Sequence, residues 1–244
     1  MSDDVEVKQG IVYGTGGQLL DVYRAPATPA AAPTVLLWHG RGPDERDALA
    51  PLARSAAARG LTVVVPGWRS DAADGGWGHL AESVAFVRRH ASEYGGDGER
   101  TVLAGWSLGA LAGAGVILRP ERTEGWRPTA FVGIAGTYGL QKPAMGLGRS
   151  PLEELAAGAT FPGPVELVHG TGDDIVGPQA SREFRDALTE RGHRVALTEL
   201  GTDHAGVVMT EFSPDHDLCL PARSELARHA GETTAHVLAR ACGV

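Results

Sequence analysis

The stretch TVLAGWSLGAL, residues Thr101 to Leu111, constrains the fold more than any other part of the sequence. It predicts a short apolar strand, then the turn Gly105-Trp106-Ser107-Leu108-Gly109, then the start of a helix. A serine on so tight a turn projects its hydroxyl into open space, and glycines two residues before and after it avoid collisions between strand and helix. The following helix points free N–H groups and its positive dipole end toward the serine. The stretch predicts a nucleophile at Ser107, and an ordinary strand-to-helix turn is the alternative interpretation.

Apolar strands alternate with helical segments through the rest of the chain. Further strands are expected at 34–38, 61–65, 129–135, 164–169 and 194–200, and helices at 44–59, 80–92, 179–191 and 222–241. An antiparallel pair, Val5 to Tyr13 and Gln18 to Arg24, precedes them, and the Pro/Ala-rich stretch Ala25 to Pro33 is expected to be an exposed connector. This alternation is typical of an α/β protein with a mainly parallel sheet covered on both faces. At 244 residues, residues 1–244 are expected to form one domain.

Charge and apolar content narrow the function classes. The 22 basic and 30 acidic side chains give a net charge of −8, which argues against nucleic acid or an anionic membrane as partner. The N-terminus lacks the pattern of a secretory signal, and every apolar run is strand-sized. Cys219 and Cys242 suggest unpaired thiols in a reducing compartment, so a cytoplasmic protein is expected. The sequence does not indicate the oligomeric state.

Two later loops carry the groups that a serine nucleophile needs. A serine hydroxyl requires a nearby base, and the base requires a group that holds its tautomer. The loop His169-Gly170-Thr171-Gly172-Asp173-Asp174-Ile175-Val176 places carboxylates after one strand, and Gly201-Thr202-Asp203-His204-Ala205-Gly206 places an imidazole after the last strand. These residues come in the order Ser, Asp, His along the chain.

Four motifs in this order, HGRG, GWSLG, HGTGDDIV and GTDHAG, make the chain resemble the α/β-hydrolases from about Val5 to Ala241. The resemblance implies the α/β-hydrolase fold, with a mainly parallel sheet of about eight strands and helices on both faces. It implies Ser107 as nucleophile, Asp173 as acid and His204 as base. The pattern H-G-x-x-D-x-x-V favours Asp173 over Asp174, which remains the alternative acid. It also suggests that the histidines before glycine, at positions 39 and 169, hold their loops.

Backbone donors for an oxyanion are expected on two loops. Leu108, the residue after the nucleophile, would supply one N–H group. The loop His39-Gly40-Arg41-Gly42 resembles the HGGG loop with an arginine in place of its middle glycine. The second donor could therefore be Arg41 or Gly42, and the Arg41 side chain could contact an acidic substrate group or simply be solvated.

These observations predict a serine hydrolase that cleaves small to medium carboxylic esters through an acyl-enzyme, with a small-molecule ester as its partner. A thioesterase, an amidase or an acyltransferase would use the same groups, and a non-catalytic binding protein on a hydrolase scaffold is the alternative of a different class. We expect no metal and no cofactor. Residues 136–163 could form a small cap or an irregular connection. Three tryptophans, at 68, 77 and 106, could line the pocket or pack in its wall, and the tail 207–223 carries no interpretable pattern.

Overall fold

The computed structural model describes residues 5–244, and its strands fall into two sheets. The strands are β1 (Glu6–Val12), β2 (Leu19–Arg24), β3 (Ala32–Trp38), β4 (Thr62–Pro66), β5 (Gly96–Trp106), β6 (Ala130–Ile134), β7 (Val165–Gly170), β8 (Val195–Leu200), β9 (Thr210–Ser213) and β10 (Leu218–Pro221). The large sheet has eight strands in the order β1-β2-β4-β3-β5-β6-β7-β8. The strands β1 and β2 run antiparallel to their neighbours, and all other pairs in this sheet are parallel.

Helices cover both faces of this sheet. They are α1 (Arg46–Ala57), α2 (Trp77–His90), α3 (Leu108–Leu118), α4 (Pro151–Ala156), α5 (Gln179–Glu190) and α6 (Glu225–Ala241), with short 3₁₀ turns at Ala91–Tyr94, Pro120–Thr123, Pro143–Met145 and Gly206–Val208. Side chains alternate along each strand, so Val35 of β3 packs in one core cluster with α1 and α6, while its neighbour Leu36 packs in another with α2, α3 and α5. The predicted α/β fold with a mainly parallel sheet of about eight strands is confirmed.

The parallel strands bring the four motifs to one edge of the sheet. Each motif lies at the carboxyl end of a strand, namely β3, β5, β7 and β8, and these ends lie at the same edge because the strands are parallel. Ligands of open α/β sheets bind outside the carboxyl ends of the strands. The topology therefore assembles one candidate site from loops that are far apart in sequence.

Three segments differ from the expected boundaries. The connector predicted to end at Pro33 ends earlier, because Ala32 and Pro33 already belong to β3 and pair with Gly96 and Asp97. The strand β5 therefore begins at Gly96, ahead of the predicted Thr101, with a register irregularity between Pro33 and Thr34. The tail, for which we predicted no element, contains the antiparallel hairpin of β9 and β10.

The segment 136–163 contains α4 and a 3₁₀ turn. A capping box at Ser150 and Glu153 starts α4, and Leu147 lies buried against Gly115 of α3. Its role as a cap over the site stays a prediction, as does the single-domain organisation. Within residues 5–244, no helix combines the length and the apolar character needed to cross a bilayer.

Candidate active site

Ser107 occupies a strained turn between β5 and α3. Its φ of 56° and ψ of −119° lie in a region that residues with a side chain rarely adopt. The Ser107 N–H donates to the Ile134 carbonyl of β6 at 2.8 Å, and the Ser107 carbonyl accepts from the Ala110 N–H at 3.1 Å. Neighbouring strand and helix thus hold the serine in this conformation.

The two glycines that flank Ser107 fill places where no side chain fits. A Cβ atom on Gly105 would lie 2.3 Å from the carbonyl carbon and oxygen of Gly109. A Cβ atom on Gly109 would lie 2.4 Å from the His39 carbonyl oxygen and 2.5 Å from that of Trp38. These are backbone atoms, which cannot move aside cheaply, so the close approach of β3, β5 and α3 requires both glycines.

His39 anchors the loop after β3. Its Nε2 accepts a hydrogen bond from the Trp68 N–H at 3.1 Å, so its proton is on Nδ1, which lies 3.1 Å from the Gly40 carbonyl. The Trp68 indole N–H donates to the His39 carbonyl at 3.2 Å, and the two rings stack. The expectation that His39 holds its loop agrees with these bonds.

The two candidate second donors of the oxyanion site differ in their hydrogen bonding. The Gly42 N–H donates to Glu45 Oε2 at 3.0 Å, so it already has an acceptor. The Arg41 carbonyl accepts from the Ser70 hydroxyl at 2.7 Å, which fixes the peptide that follows Arg41. Within residues 5–244, the N–H groups of Arg41 and Leu108 donate to no protein acceptor. Of the two alternatives, Arg41 therefore retains the free donor.

Glu45, immediately before α1, is a residue of this site that the sequence did not point to. Its Oε2 lies 3.7 Å from His39 Nδ1, and a Cβ atom on Gly40 would touch both that oxygen and Ser107 Cβ, at 2.9 and 3.4 Å. Burial alone would raise the pKa of Glu45, but its contacts with His39 and the Gly42 N–H and its proximity to His204 bring the pKa below its ordinary value. The site therefore carries a carboxylate beside the loop that follows β3.

The predicted acid and base are hydrogen-bonded to each other. His204 Nδ1 lies 2.6 Å from Asp173 Oδ2, and both side chains are buried. The Trp106 indole N–H donates to the His204 carbonyl at 3.0 Å, and the two rings lie 5.2 Å apart, which brings His204 beside the residue that precedes Ser107. Within the described chain no hydrogen bond joins Ser107 to His204, and such contacts are often long before substrate binds.

The Asp173 carboxylate meets donors at both oxygens. The N–H groups of Ile175 and Val176 donate to Oδ1 at 3.0 and 2.8 Å, while His204 Nδ1 and His169 Nε2 lie 2.6 and 3.3 Å from Oδ2. Burial alone would raise the pKa of Asp173, but its contacts with His169, His204 and the Val176 N–H hold it well below its ordinary value. Asp173 is therefore an anion at neutral pH with a fixed orientation.

The neighbouring carboxylates have other surroundings. Asp174 is exposed, and within residues 5–244 its side chain makes no hydrogen bond. Asp203 Oδ1 accepts from the Gly206 N–H at 2.8 Å and so stabilises the loop that carries His204. Of the two candidate acids, the one in contact with His204 is Asp173.

Trp68, Trp77 and Trp106 are all buried, and Trp68 and Trp106 pack beside the site. Trp68 and Trp106 each use the indole N–H to hold a histidine loop, and Arg122 stacks on the ring of Trp77. Within residues 5–244, no cluster of His, Cys, Asp and Glu side chains could hold a metal ion. Cys219 and Cys242 are both free thiols.

No family model and no curated protein matches the sequence, whereas many solved structures match the fold. A thermophilic esterase, Est2 from the planctomycete Thermogutta terrifontis, has a TM-score of 0.73 at 19% identity over 97% of this chain and 92% of its own. A mutant of the esterase rPPE has a TM-score of 0.75 at 17% identity, with coverage of 100% and 85%. A putative dienelactone hydrolase from Klebsiella pneumoniae has a TM-score of 0.70 at 14% identity, with coverage of 97% and 98%. The chain therefore has the α/β-hydrolase fold.

Proposed function

We propose that the protein is a serine hydrolase that cleaves small to medium carboxylic esters through an acyl-enzyme intermediate. The observation that carries this proposal is the buried 2.6 Å hydrogen bond between His204 and Asp173, in a loop that Trp106 ties to the strained turn of Ser107. A base with a fixed tautomer, on a loop tied to the residue before a half-buried serine, fits what acyl transfer to serine requires.

The hydrogen bond with Asp173 assigns the two ring nitrogens of His204 to different tasks. Because Nδ1 donates its proton to Asp173, Nε2 is left to accept a proton. In this mechanism Nε2 takes the proton of the Ser107 hydroxyl while Oγ attacks the ester carbonyl carbon. The Asp173 carboxylate stabilises the imidazolium that forms, and its four donor contacts keep it in place.

The oxyanion of the tetrahedral intermediate would accept hydrogen bonds from the N–H groups of Leu108 and Arg41. Gly42 is the weaker alternative since its N–H already donates to Glu45. Collapse of the intermediate expels the alcohol, which takes the proton from His204 Nε2, and leaves an ester on Ser107 Oγ. Water then repeats the sequence: His204 removes its proton, the acyl carbon is attacked, and Ser107 regains its hydrogen as the acid departs.

The solved neighbours support an ester substrate of modest size. Structures of Thermogutta terrifontis Est2 have propionate or butyrate bound, and the same esterase has been phosphorylated by paraoxon. We propose substrates of similar acyl length here, and a cap at 136–163 too short to enclose a long chain. A thioesterase, an amidase and an acyltransferase remain the alternatives on the same groups, because specificity depends on pocket shape.

Hydrolysis of p-nitrophenyl acetate, butyrate and octanoate by the purified protein tests the proposal. Ser107→Ala should lower turnover by a factor on the order of 10⁴, because the nucleophile is lost. Ser92→Ala, at an exposed serine in the 3₁₀ turn after α2, is the matched control and should behave as wild type. The proposal fails if Ser107→Ala retains turnover, or if the protein neither hydrolyses these esters nor reacts with a fluorophosphonate. Labelling without turnover would retain the serine nucleophile and reject the ester class.

A further inference from the structure

His169 is a second histidine beside Asp173, the candidate acid, and its hydrogen-bond partners specify its tautomer. The side chain of His169 is fully buried, and so is that of Ser181 in the first turn of α5. His169 Nδ1 lies 2.7 Å from the Ser181 hydroxyl oxygen, and its Nε2 lies 2.8 Å from the Val176 carbonyl oxygen. Nε2 also lies 3.3 Å from Asp173 Oδ2.

The partners of His169 assign its tautomer. A carbonyl oxygen and a carboxylate oxygen can only accept hydrogen bonds, so the nitrogen that faces both, Nε2, must carry a proton. In a neutral ring Nδ1 is then an acceptor, and the hydroxyl of Ser181, which can donate, supplies the proton for that bond. Ser181 adds to this preference and holds the ring in place, because its hydroxyl offers Nδ1 a donor in a site that is closed to water.

The other tautomer would disrupt the acid. With the proton on Nδ1, the lone pair of Nε2 would face two oxygen atoms at 2.8 and 3.3 Å. In a buried site such a repulsion has no water to relieve it, so Val176 or Asp173 would have to shift. Both belong to one loop, since the Val176 N–H donates to Asp173 Oδ1 at 2.8 Å. A change at His169 would therefore move the carboxylate that holds His204.

We propose that Ser181 and His169 form a positioning pair: the Ser181 hydroxyl donates to Nδ1 and holds the His169 ring in place. The Nε2–H of that ring then holds the Val176 carbonyl and Asp173 Oδ2, so that Oδ2 stays aimed at His204 Nδ1. Neither residue touches a substrate. The expected effect on turnover rests on the proposed function, whereas the signals of His169 and His204 can be observed without any substrate.

The first measurement is the long-range ¹H–¹⁵N correlation spectrum of protein labelled at its histidines, with the signals of position 169 assigned through His169→Gln. The wild type should show His169 as the Nε2–H tautomer, and the proton on His204 Nδ1 should give a downfield signal, as the 2.6 Å bond requires. In Ser181→Ala we expect His169 to keep the Nε2–H tautomer, because two acceptors still face Nε2. The His169 Nδ1 signal should shift because this nitrogen loses its donor, and the His204 signal should move or broaden. Ser181→Thr keeps a hydroxyl and should restore both signals.

The matched control is Ser83→Ala. Ser83 is also fully buried, and its hydroxyl donates to the Leu80 carbonyl at 2.7 Å and accepts from the Trp38 indole N–H at 3.1 Å. This substitution should leave the spectra of His169 and His204 unchanged at a comparable loss of stability. A general effect of removing a buried serine is thereby separated from the effect on the acid.

Turnover of p-nitrophenyl butyrate gives the second readout. Ser181→Ala should lower kcat roughly tenfold with KM nearly unchanged, as loss of a supporting partner does. His169→Gln keeps an N–H donor and should therefore retain more activity than His169→Leu. This pair of variants tests the proposal if Ser181→Ala does not fold. The proposal is overturned if Ser181→Ala keeps both the wild-type His204 signal and the wild-type kcat, or if His169→Leu is as active as His169→Gln. If the spectra change as expected but Ser107→Ala is as active as wild type, the positioning pair stands and the proposed function fails.

Discussion

Trp106 and His204 are joined by two contacts, one from the indole N–H and one between the rings. The N–H donates to the His204 carbonyl at 3.0 Å, and the ring centroids lie 5.2 Å apart at an interplanar angle of 36°. Trp106 is the last residue of β5, directly before Ser107, whereas His204 follows β8. Two strands, β6 and β7, lie between β5 and β8 in the sheet. The residue before the candidate nucleophile therefore fixes the backbone of the candidate base.

We expect Trp106→Phe to separate these two contacts. The phenyl ring keeps the packing, but the His204 carbonyl loses its donor, and the variant should lose about 1–3 kcal/mol of unfolding free energy. The kcat of ester hydrolysis should fall more than the stability loss alone explains, because the His204 loop gains freedom. Trp126→Phe is the control, since the indole N–H of Trp126 makes no hydrogen bond within residues 5–244. Equal kcat values for the two variants would contradict this prediction.

The choice between the two neighbouring carboxylates predicts opposite phenotypes. Asp173→Asn should lower kcat by a factor on the order of 10⁴, because an amide can stabilise the wrong tautomer of the base and cannot balance its positive charge. Asp174→Asn should remain near wild type, since the Asp174 side chain is exposed and makes no hydrogen bond in the described chain. Steady-state kinetics on p-nitrophenyl butyrate compares them. The reverse order would assign the acid to Asp174.

The lowered pKa of Asp173 also predicts a pH dependence of stability. The ordinary value is 3.8, and folding lowers it, so the ionised carboxylate stabilises the fold at any pH above about 4. This contribution decreases as the pH falls from that value toward the lower pKa of the folded state. At pH 7, urea unfolding should show Asp173→Asn to be less stable than wild type by about 1–3 kcal/mol, and the difference should shrink near pH 3.

The matched variant for that measurement is Asp174→Asn, whose stability should follow the wild type at both pH values. If the difference in unfolding free energy between wild type and Asp173→Asn stays constant from pH 7 to pH 3, folding does not lower the pKa of Asp173 and the prediction is wrong.

Glu45 predicts a preference among substrates by charge. Glu45→Gln keeps an oxygen that can accept from the Gly42 N–H but removes a negative charge beside the proposed oxyanion donors. The ratio of kcat/KM for an ester with a carboxylate in its acyl group, such as mono-p-nitrophenyl succinate, to that for p-nitrophenyl butyrate should rise roughly 3- to 10-fold at low salt. Glu93→Gln, at an exposed and distant position, should leave the ratio unchanged. If Glu45→Gln leaves it unchanged as well, the Glu45 charge does not act on the substrate.

The sequence predicted the central strands of the large sheet well because they are largely apolar and buried. Buried strands such as Thr62–Pro66 and Val165–Gly170 fall within one residue of the expected ranges. The hairpin of β9 and β10 was not predicted, because each strand has only four residues and exposes side chains such as Phe212 and Leu218. Strands that short and that exposed show no periodicity, and only the paired backbone reveals them.

The site was predictable to the extent that glycine-rich motifs mark strand ends. They pointed to Ser107, Asp173 and His204, whose catalytic roles stay predictions. The motifs could not point to Glu45 or Ser181. Both residues lie at the start of a helix, and the position of that helix relative to the sheet depends on tertiary packing. The one local signal for Glu45 was an acidic residue three positions after Gly42. Acidic residues are common at the start of a helix because they interact favourably with the helix dipole.

The strained backbone of Ser107 depends on strands that are formed by distant parts of the chain. Its N–H is held by Ile134 of β6, and α3 lies so close to β3 that Gly109 has no room for a Cβ atom. An isolated copy of this turn would relax, because such a conformation costs roughly 1–3 kcal/mol without its neighbours. Because β6 follows Ser107 in the chain, the turn can adopt this conformation only after β6 has docked. The geometry on which the proposed nucleophile depends is therefore a property of the completed sheet.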